Sequence, residues 1–565
     1  MHTIDWIILV STLLLIVIYG TIRTRGAKSS VDYIKAGNQA KWWTIGLSVM
    51  ATQASAITFL STPGQAFHDG MGFIQFYFGI PLAIIIVCMV FIPIYHKLKV
   101  YTAYEYLESR FDLKTRTLTA LLFLIQRSLS AGITIFAPAI ILSSVLGWDL
   151  TTLNIILGLL VIIYTVSGGT KAVNYTQKYQ MGIIFIGLII SLFVIINLLP
   201  ENVNFKNAVD IAGLNSKLEV LNFSFDLENR YTIWSGLLGG TFLMMSYFGT
   251  DQSQVQRYLS GKSLKEMQLG MIFNGMLKIP MQFFILFIGV MVFVFYQFNS
   301  SPINFNPQSA EVISNSSYEK EYNSLQNDLN NIFNEKQQQI NNYLNTTNDN
   351  LIKSKLVYDT KYGLSELELK EKELRIKAKN LINLASKEKN IKVETNDKDY
   401  VFITFILNNL PKGLIGLLLA VILSAAMSST SSEINALATT TAIDIYKRNK
   451  KNITDQEVVK YTKIFTFVWG IVAIAIACIA YLADNLIQLV NIIGSIFYGN
   501  VLGIFLIAFF LKFIKSNAIF IGAIITQIII IYGWYNDWMP FLWLNLFGCF
   551  VVITISSTLQ LLQKN

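Results

Sequence analysis

Charge is scarce in this chain: of 565 residues only 14% are Asp, Glu, Lys or Arg, against 53% hydrophobic. Histidine and cysteine are rarer still, three of each. His2, His68 and His96 stand far apart at the ends of apolar runs. That excludes a histidine-rich catalytic metal cluster, and with it the commonest kind of membrane enzyme. Cys88, Cys478 and Cys549 all fall inside apolar runs, so no disulfide framework is expected. The net charge of +9 comes from basic residues in short loops rather than from a patch, and needs no nucleic acid as partner.

What fills the space is apolar sequence, with a mean hydropathy of +0.49. Runs of about 18 to 25 apolar residues recur along the whole chain, each long enough to cross a bilayer. Thirteen are expected, near 4–22, 43–66, 73–95, 117–146, 151–167, 178–199, 232–256, 270–298, 400–432, 459–482, 486–511, 516–533 and 538–561. The first follows Asp5 rather than a basic stretch and reads as a retained span, not a cleaved signal. Lys and Arg alternate with this count. Loops after odd-numbered spans hold Arg23, Arg25, Lys28, Lys97, Lys99, Lys171, Arg257, Lys262, Lys447, Lys451 and Lys512, while the short loops after even-numbered spans hold almost none. The positive-inside rule then puts the N-terminus outside and the C-terminus inside. The expectation is an all-α polytopic protein of the cell membrane.

Residues 299–399 are foreign to the rest, polar and rich in Asn, Gln, Glu and Lys, with 14 basic against 15 acidic residues. Tyr322, Leu325, Leu329, Ile332, Ile340 and Leu344, then Leu374, Leu381 and Leu384, follow a three-four spacing. Two amphipathic helices paired as an antiparallel hairpin are expected, standing outside the membrane as a place where a protein partner could dock. The chain thus divides into membrane spans over 1–298, the hairpin insert over 299–399, and membrane spans over 400–565.

The strongest local signal is LIGLLLAVILSAAMSSTSS, from Leu414 to Ser432. At 100° per residue, Ala425, Ser428, Ser429 and Ser432 share one face, with Ser431 at its edge. Hydroxyl oxygens lined up within an apolar span can replace the hydration shell of a hard cation. Here they stand at what is expected to be the span's cytoplasmic end. Two other spans are interrupted. One carries Thr52, Gln53, Ser55 and Thr58 and then Pro63-Gly64, and the other carries Gly236, Gly239, Gly240 and Gly249. Broken helices free backbone carbonyls, which survive in a membrane only beside a cavity or an ion. Two such spans, five apart, point to an inverted repeat of five helices and a carrier with a midplane site.

Four ordered stretches carry a family likeness: SAITFLSTPGQAF from Ser55, GGTKAVNYTQKYQ from Gly168, TDQSQVQRYLSGKS from Thr250, and LSAAMSSTSSEINALATTTAIDIYKR from Leu423. Through these the chain resembles the solute:sodium symporter family over nearly all its length outside the insert. The resemblance implies a five-plus-five inverted-repeat core built from spans 2–6 and 7–11, and sodium as the coupling ion with no organic cofactor. It implies a sodium site made of carbonyls at Ala51, Ala54 and Ala425 and hydroxyls at Ser428 and Ser429. A second sodium site of some members would fall on Ser431 and Ser432, but Gln177 stands where those members have an aspartate. A neutral amide cannot offset a cation in a low dielectric, so one sodium per solute is expected.

For the solute, the resemblance implies Tyr247 as an aromatic gate, Gln53 as its amide neighbour, and Lys278 and Gln488 as polar ligands as in sugar-carrying members. Tyr77 replaces a sugar-binding glutamate. Ser55 and Thr58 resemble members that carry organic acids. Arg127 could meet an anion, snorkel or make a structural pair; Asp251, Gln252 and Arg257 resemble a cytoplasmic gate or a structural network, and Asp251 is the only obvious carboxylate within a span. The expected function is sodium-driven uptake of a small organic solute, an organic acid or sugar-like molecule, across the lipid bilayer. Its rivals are a proton-coupled carrier and a transporter-derived sensor.

Overall fold

The structure, a computed structural model, describes residues 2–24, 29–314, 316–345, 350–391, 393–450, 453–480 and 486–563. The loop cations Arg25, Lys28 and Lys451 and the expected end of the tenth span at 482 lie outside the described residues. Every named element is helical. Among the described residues nine helices are long and apolar enough to cross a membrane, or ten if the bent pair 150–163 and 165–174 counts as one more. The sequence count of thirteen is higher because it joins short helices across breaks. Trp42–Gln53 and Gly240–Gly249 are too short to cross alone. Leu14, Leu15, Ile85, Met89, Phe193 and Phe467 turn outward, as lipid-facing positions do.

Three boundaries differ from the sequence reading. The second span breaks at Ala54–Ser55, not at Pro63-Gly64. Trp42–Gln53 ends there, Ala54 takes φ −88° and ψ 75°, and the chain resumes as Ala56–Asp69 with Pro63 inside it. Gly64 serves close approach instead, since a Cβ there would lie 1.8 Å from the Lys398 carbonyl oxygen. The seventh span passes its glycines through a π-helical turn, Ser235–Gly239, and breaks only after Gly249, at Thr250–Asp251. Asp251 caps the next helix by accepting the Ser253 N–H at 2.9 Å. Finally, the loop expected at 168–177 is helical apart from one residue. The chain turns at Gly169 (φ 53°, ψ −155°), where a side chain would meet the Tyr33 carbonyl at 2.7 Å.

The hydroxyl-bearing helix is also longer than its apolar run suggests. Lys398–Asn409 is a separate short helix, and Leu414–Thr440 continues by a π-helical turn to Tyr446. Ser428–Ser432 therefore lie in the middle of the helix, not at its end. Its N-terminus is fixed by the first helix: Asp5, fully buried, accepts the N–H groups of Gly413 and Gly416 at 2.6 and 3.1 Å. It packs against Thr3–Thr24, Leu113–Leu146, Leu150–Asn197 and Asp455–Ile479, which buries both its faces. Leu264–Phe295 packs on both halves of the first broken helix.

In the insert, Glu319–Asn345 and Asn350–Glu388 pack against each other. Ser317 bonds Glu388 at 2.6 Å and Lys336 pairs with Glu371 at 2.7 Å, an antiparallel register. Tyr322, Leu329, Leu381 and Ile382 share its small core. The entry and exit strands are stitched together: Asn306 donates to Glu394 O at 2.8 Å, and the Phe305 N–H to Asp397 at 3.0 Å. Lys217, in turn, ties Glu368 of the insert to the His68 carbonyl at the end of the broken helix.

Burial alone would push the Glu371 carboxyl up, but Arg375 and Lys336 beside it outweigh this and hold it well below the carboxylate range. A carboxyl that titrates lower when folded stabilises fully above its unfolded pKa, and loses that contribution as pH falls through the folded one. Protection of the amides over 329–340, taken relative to the intrinsic exchange rate at each pH, is expected to stay flat from about pH 5 to about pH 8 and to fall only below about pH 4. Loosening between those two neutral values would assign the hairpin's stability to other groups.

Candidate functional site

The first break, the second broken helix and the hydroxyl helix meet around one cavity of about 90 Å³. The first break supplies Thr52, Gln53, Ser55 and Thr58, the second broken helix Met244 and Tyr247, and the long helix Ser429 and Glu433. Tyr77, Arg127, Thr134, Asn491 and Tyr498 complete the polar lining.

On the sodium-type side, Ala51 stands in the last turn of Trp42–Gln53 and Ala54 caps its end, where helix carbonyls have no following N–H to bond. Ser428 Oγ reaches the Ala51 carbonyl at 3.4 Å across the two helices. Ser429 Oγ donates only within its own helix, to Ala425 O at 3.0 Å and Ala426 O at 3.2 Å. Ala51, Ala54, Ala425, Ser428 and Ser429 are all buried. Small side chains, orphaned carbonyls and rotatable hydroxyls fit a hard monovalent cation taken up as cargo. Neither carboxylate nor thiolate belongs to this set.

One turn further on, Ser432 and Gln177 form a closed hydrogen-bond cluster with Thr52, while Ser431 Oγ donates back to the Ser428 carbonyl at 3.0 Å. Gln177 Nε2 donates to Thr52 Oγ1 and Ser432 Oγ, both at 3.1 Å, and to the Ser428 carbonyl at 3.4 Å. A carbonyl can only accept, so this last contact fixes which end of the amide faces the hydroxyls. Ser48 Oγ donates to Gln177 Oε1 on the other side. The amide N–H₂ thus directs donors at the oxygens a cation would need.

Sequence reasoning placed Lys278 and Gln488 among solute ligands, and neither reaches the cavity. Lys278 is buried with its Nζ 5.7 Å from the Tyr77 ring centre. Gln488 accepts from Arg230 at 3.1 Å and donates to Tyr231 at 3.1 Å. Gln252 bonds the Ala103 N–H and the Tyr101 carbonyl, and Arg257 donates to Asn174, so both knit helix ends together. Tyr247 does line the cavity and accepts from Gln254 Nε2.

Arg127 is the centre of a network the sequence did not reveal. Its Nη2 pairs with Asp251 and bonds Tyr498 OH at 2.7 Å, while its Nη1 bonds Glu433 at 3.0 Å. Tyr498 OH also donates to Asp251 at 2.9 Å. Asp251 is therefore not alone within the spans: Glu433 shares its cation, and Asp444 is buried against Arg116. Glu433 was overlooked because the helix was taken to end at Ser432, yet it falls eight residues after Ala425, on the same face.

Comparisons with known proteins agree with this architecture. The family model described as the sodium:solute symporter family matches residues 33–331 and 375–526. The human sodium-coupled monocarboxylate transporter 1 is 34% identical over 257 residues, 46% of this chain and 42% of that protein. The human sodium/iodide cotransporter is 30% identical over 271 residues, 48% and 42%. The chain thus matches less than half the length of these relatives. The sodium/sialic acid symporter SiaT of Proteus mirabilis (strain HI4320) is 25% identical over 564 residues, 97% of this chain and 93% of that one. A solved structure of a Na+-coupled sialic acid symporter, described as substrate-bound and outward-open, aligns with a TM-score of 0.74 at 24% identity, covering 99% of this chain and 97% of that one. At that identity the likeness is one of fold. All these relatives are transporters, not enzymes.

Proposed function

The chain belongs to the sodium:solute symporter family, and from that premise we propose that it moves a small organic solute into the cell together with sodium by alternating access. The observation that carries this reading is the meeting of the first helix break, the second broken helix and Ser429 of the hydroxyl face at one cavity. Carbonyls of Ala51, Ala54 and Ala425 and hydroxyls of Ser428 and Ser429 receive sodium. Ser429 lines the solute cavity as well, so filling one site steadies the wall of the other. Thirteen spans in a five-plus-five repeat, with the N-terminus outside, place the insert on the outer surface of the cell membrane.

One sodium per solute follows from Gln177, whose amide donors take the place of a second cation. A potential of about 100 mV then supplies roughly 2.3 kcal/mol per sodium. A tenfold sodium gradient adds about 1.4 kcal/mol, so a neutral solute is concentrated at most several hundredfold. Proton coupling is the second reading, but both carboxylates near the cavity, Asp251 and Glu433, are clamped on Arg127.

Proteoliposomes decide between these. Under an imposed sodium gradient at symmetrical pH, solute should accumulate to the one-sodium limit. Accumulation driven by a pH gradient with sodium replaced by potassium would overturn sodium coupling, and a limit equal to the square of the one-sodium ratio would overturn the stoichiometry.

A further inference from the structure

The cavity presents polar atoms that the protein itself leaves unsatisfied. Glu433 is 5% exposed, and while its Oε1 accepts from Arg127, its Oε2 is buried without a hydrogen-bond partner. The neighbouring Thr134 hydroxyl also reaches the Ser130 carbonyl, at 2.9 Å. Gln53 Oε1 is likewise buried and unpartnered, its Nε2 lying 4.0 Å from Met244 Sδ. On the donor side, Arg127 Nε and the second hydrogen of Nη1 are open, and the Ser55, Thr58 and Tyr77 hydroxyls line the same cavity. Glu433 Oε2 and Gln53 Oε1 are therefore the buried acceptors of this lining that lack a partner.

Buried polar atoms without partners are rare in folded interiors, and such a set is completed by something that enters. Water completes it between turnovers, but a solute that displaces water must bring donors of its own. Charge argues the same way. One guanidinium is shared by two carboxylates, so an incoming anion meets no free cation there.

We infer that the solute presents hydroxyl or ammonium donors to Glu433 Oε2 and Gln53 Oε1, and that Glu433 selects a donor-bearing solute over a donorless anion. This rests on the cavity being the solute site. Iodide and acetate offer acceptors only, whereas polyols, amino sugars and hydroxylated acids offer several donors.

The test uses the purified full-length protein and sodium-dependent thermal stabilisation by myo-inositol, glucosamine, N-acetylneuraminate, proline, acetate and iodide, followed by titration of whichever probe binds. In Glu433→Gln the amide oxygen stays with Arg127, which turns N–H₂ toward the cavity, donor against donor. Affinity for a donor-bearing probe should fall at least tenfold. Gln53→Leu, which removes the other acceptor without touching the ion pairs, should weaken the same probe. The ligand-free melt confirms that each variant is folded. Stabilisation by acetate or iodide, by no probe at all, or by a donor-bearing probe whose affinity survives both substitutions overturns the inference. A donor-bearing probe that binds through Glu433 with no need of sodium would leave the inference standing and overturn sodium coupling instead.

Discussion

Arg127→Leu is expected to be the most damaging single substitution in the membrane part of this chain. It strands two buried carboxylates, Asp251 and Glu433, that share this one guanidinium. Breaking a buried pair by removing one partner costs about 3–5 kcal/mol, because the remaining charge has nowhere to go. Folded yield and melting temperature should fall together, and transport should be lost. Neutralising the whole set is a different experiment. Arg127→Leu combined with Asp251→Asn and Glu433→Gln leaves no uncompensated charge, and Asn at 251 still caps the helix that follows. Such replacements are often neutral or stabilising, so the triple variant should regain most of the lost stability without regaining transport. An Arg127→Leu protein that melts like the unmodified one would mean the two carboxylates are compensated from elsewhere.

The paired substitution Ser428→Ala with Ser429→Ala should have the second-largest effect, and it should act on sodium rather than on folding. Alanine is a better helix former than serine and already stands nearby in this helix, at Ala425 and Ala426. Ser429 spends its hydroxyl on carbonyls of its own helix, and Ser428 makes a single long contact with Ala51. A hydrogen-bonding group directed at a charge is worth about 1.5–3 kcal/mol. Losing two should raise the sodium concentration for half-maximal uptake on the order of a hundredfold or more. Solute uptake with unchanged sodium activation would remove both hydroxyls from the ion site.

The sequence made the hydroxyl face legible because helical periodicity needs only one element. Ala425, Ser428, Ser429 and Ser432 fall together at 100° per residue whatever surrounds them. It misplaced the end of that helix, since the apolar run stops where the polar, buried part begins. Burial of Glu433 and Asn435 comes from neighbouring helices, which no local pattern announces. Breaks were harder still. Pro63 and Gly64 look like a breaker and are not one, because Pro63 sits inside a helix packed on Leu264–Phe295. The true break, Ala54–Ser55, has no special residue type. Lys278 and Gln488 were drawn in by likeness alone, and the fold spends Gln488 on Arg230 and Tyr231 instead. The orientation of the Gln177 amide needed three dimensions, since it is set by a carbonyl 251 residues away in sequence.

The stitching at the base of the insert has a consequence for the history of this chain. Asn304 and Asn306 bond the backbone at Thr395 and Glu394, and Phe305 bonds Asp397, so the point of departure and the point of return are neighbours. A segment that leaves and re-enters at one spot imposes no change of register on the helices either side, and long surface loops add little closure entropy. Such a module can be gained, lost or exchanged between lineages in a single genetic event while the carrier beneath it keeps working. Selection can then act on the surface decoration and the transport core at separate rates.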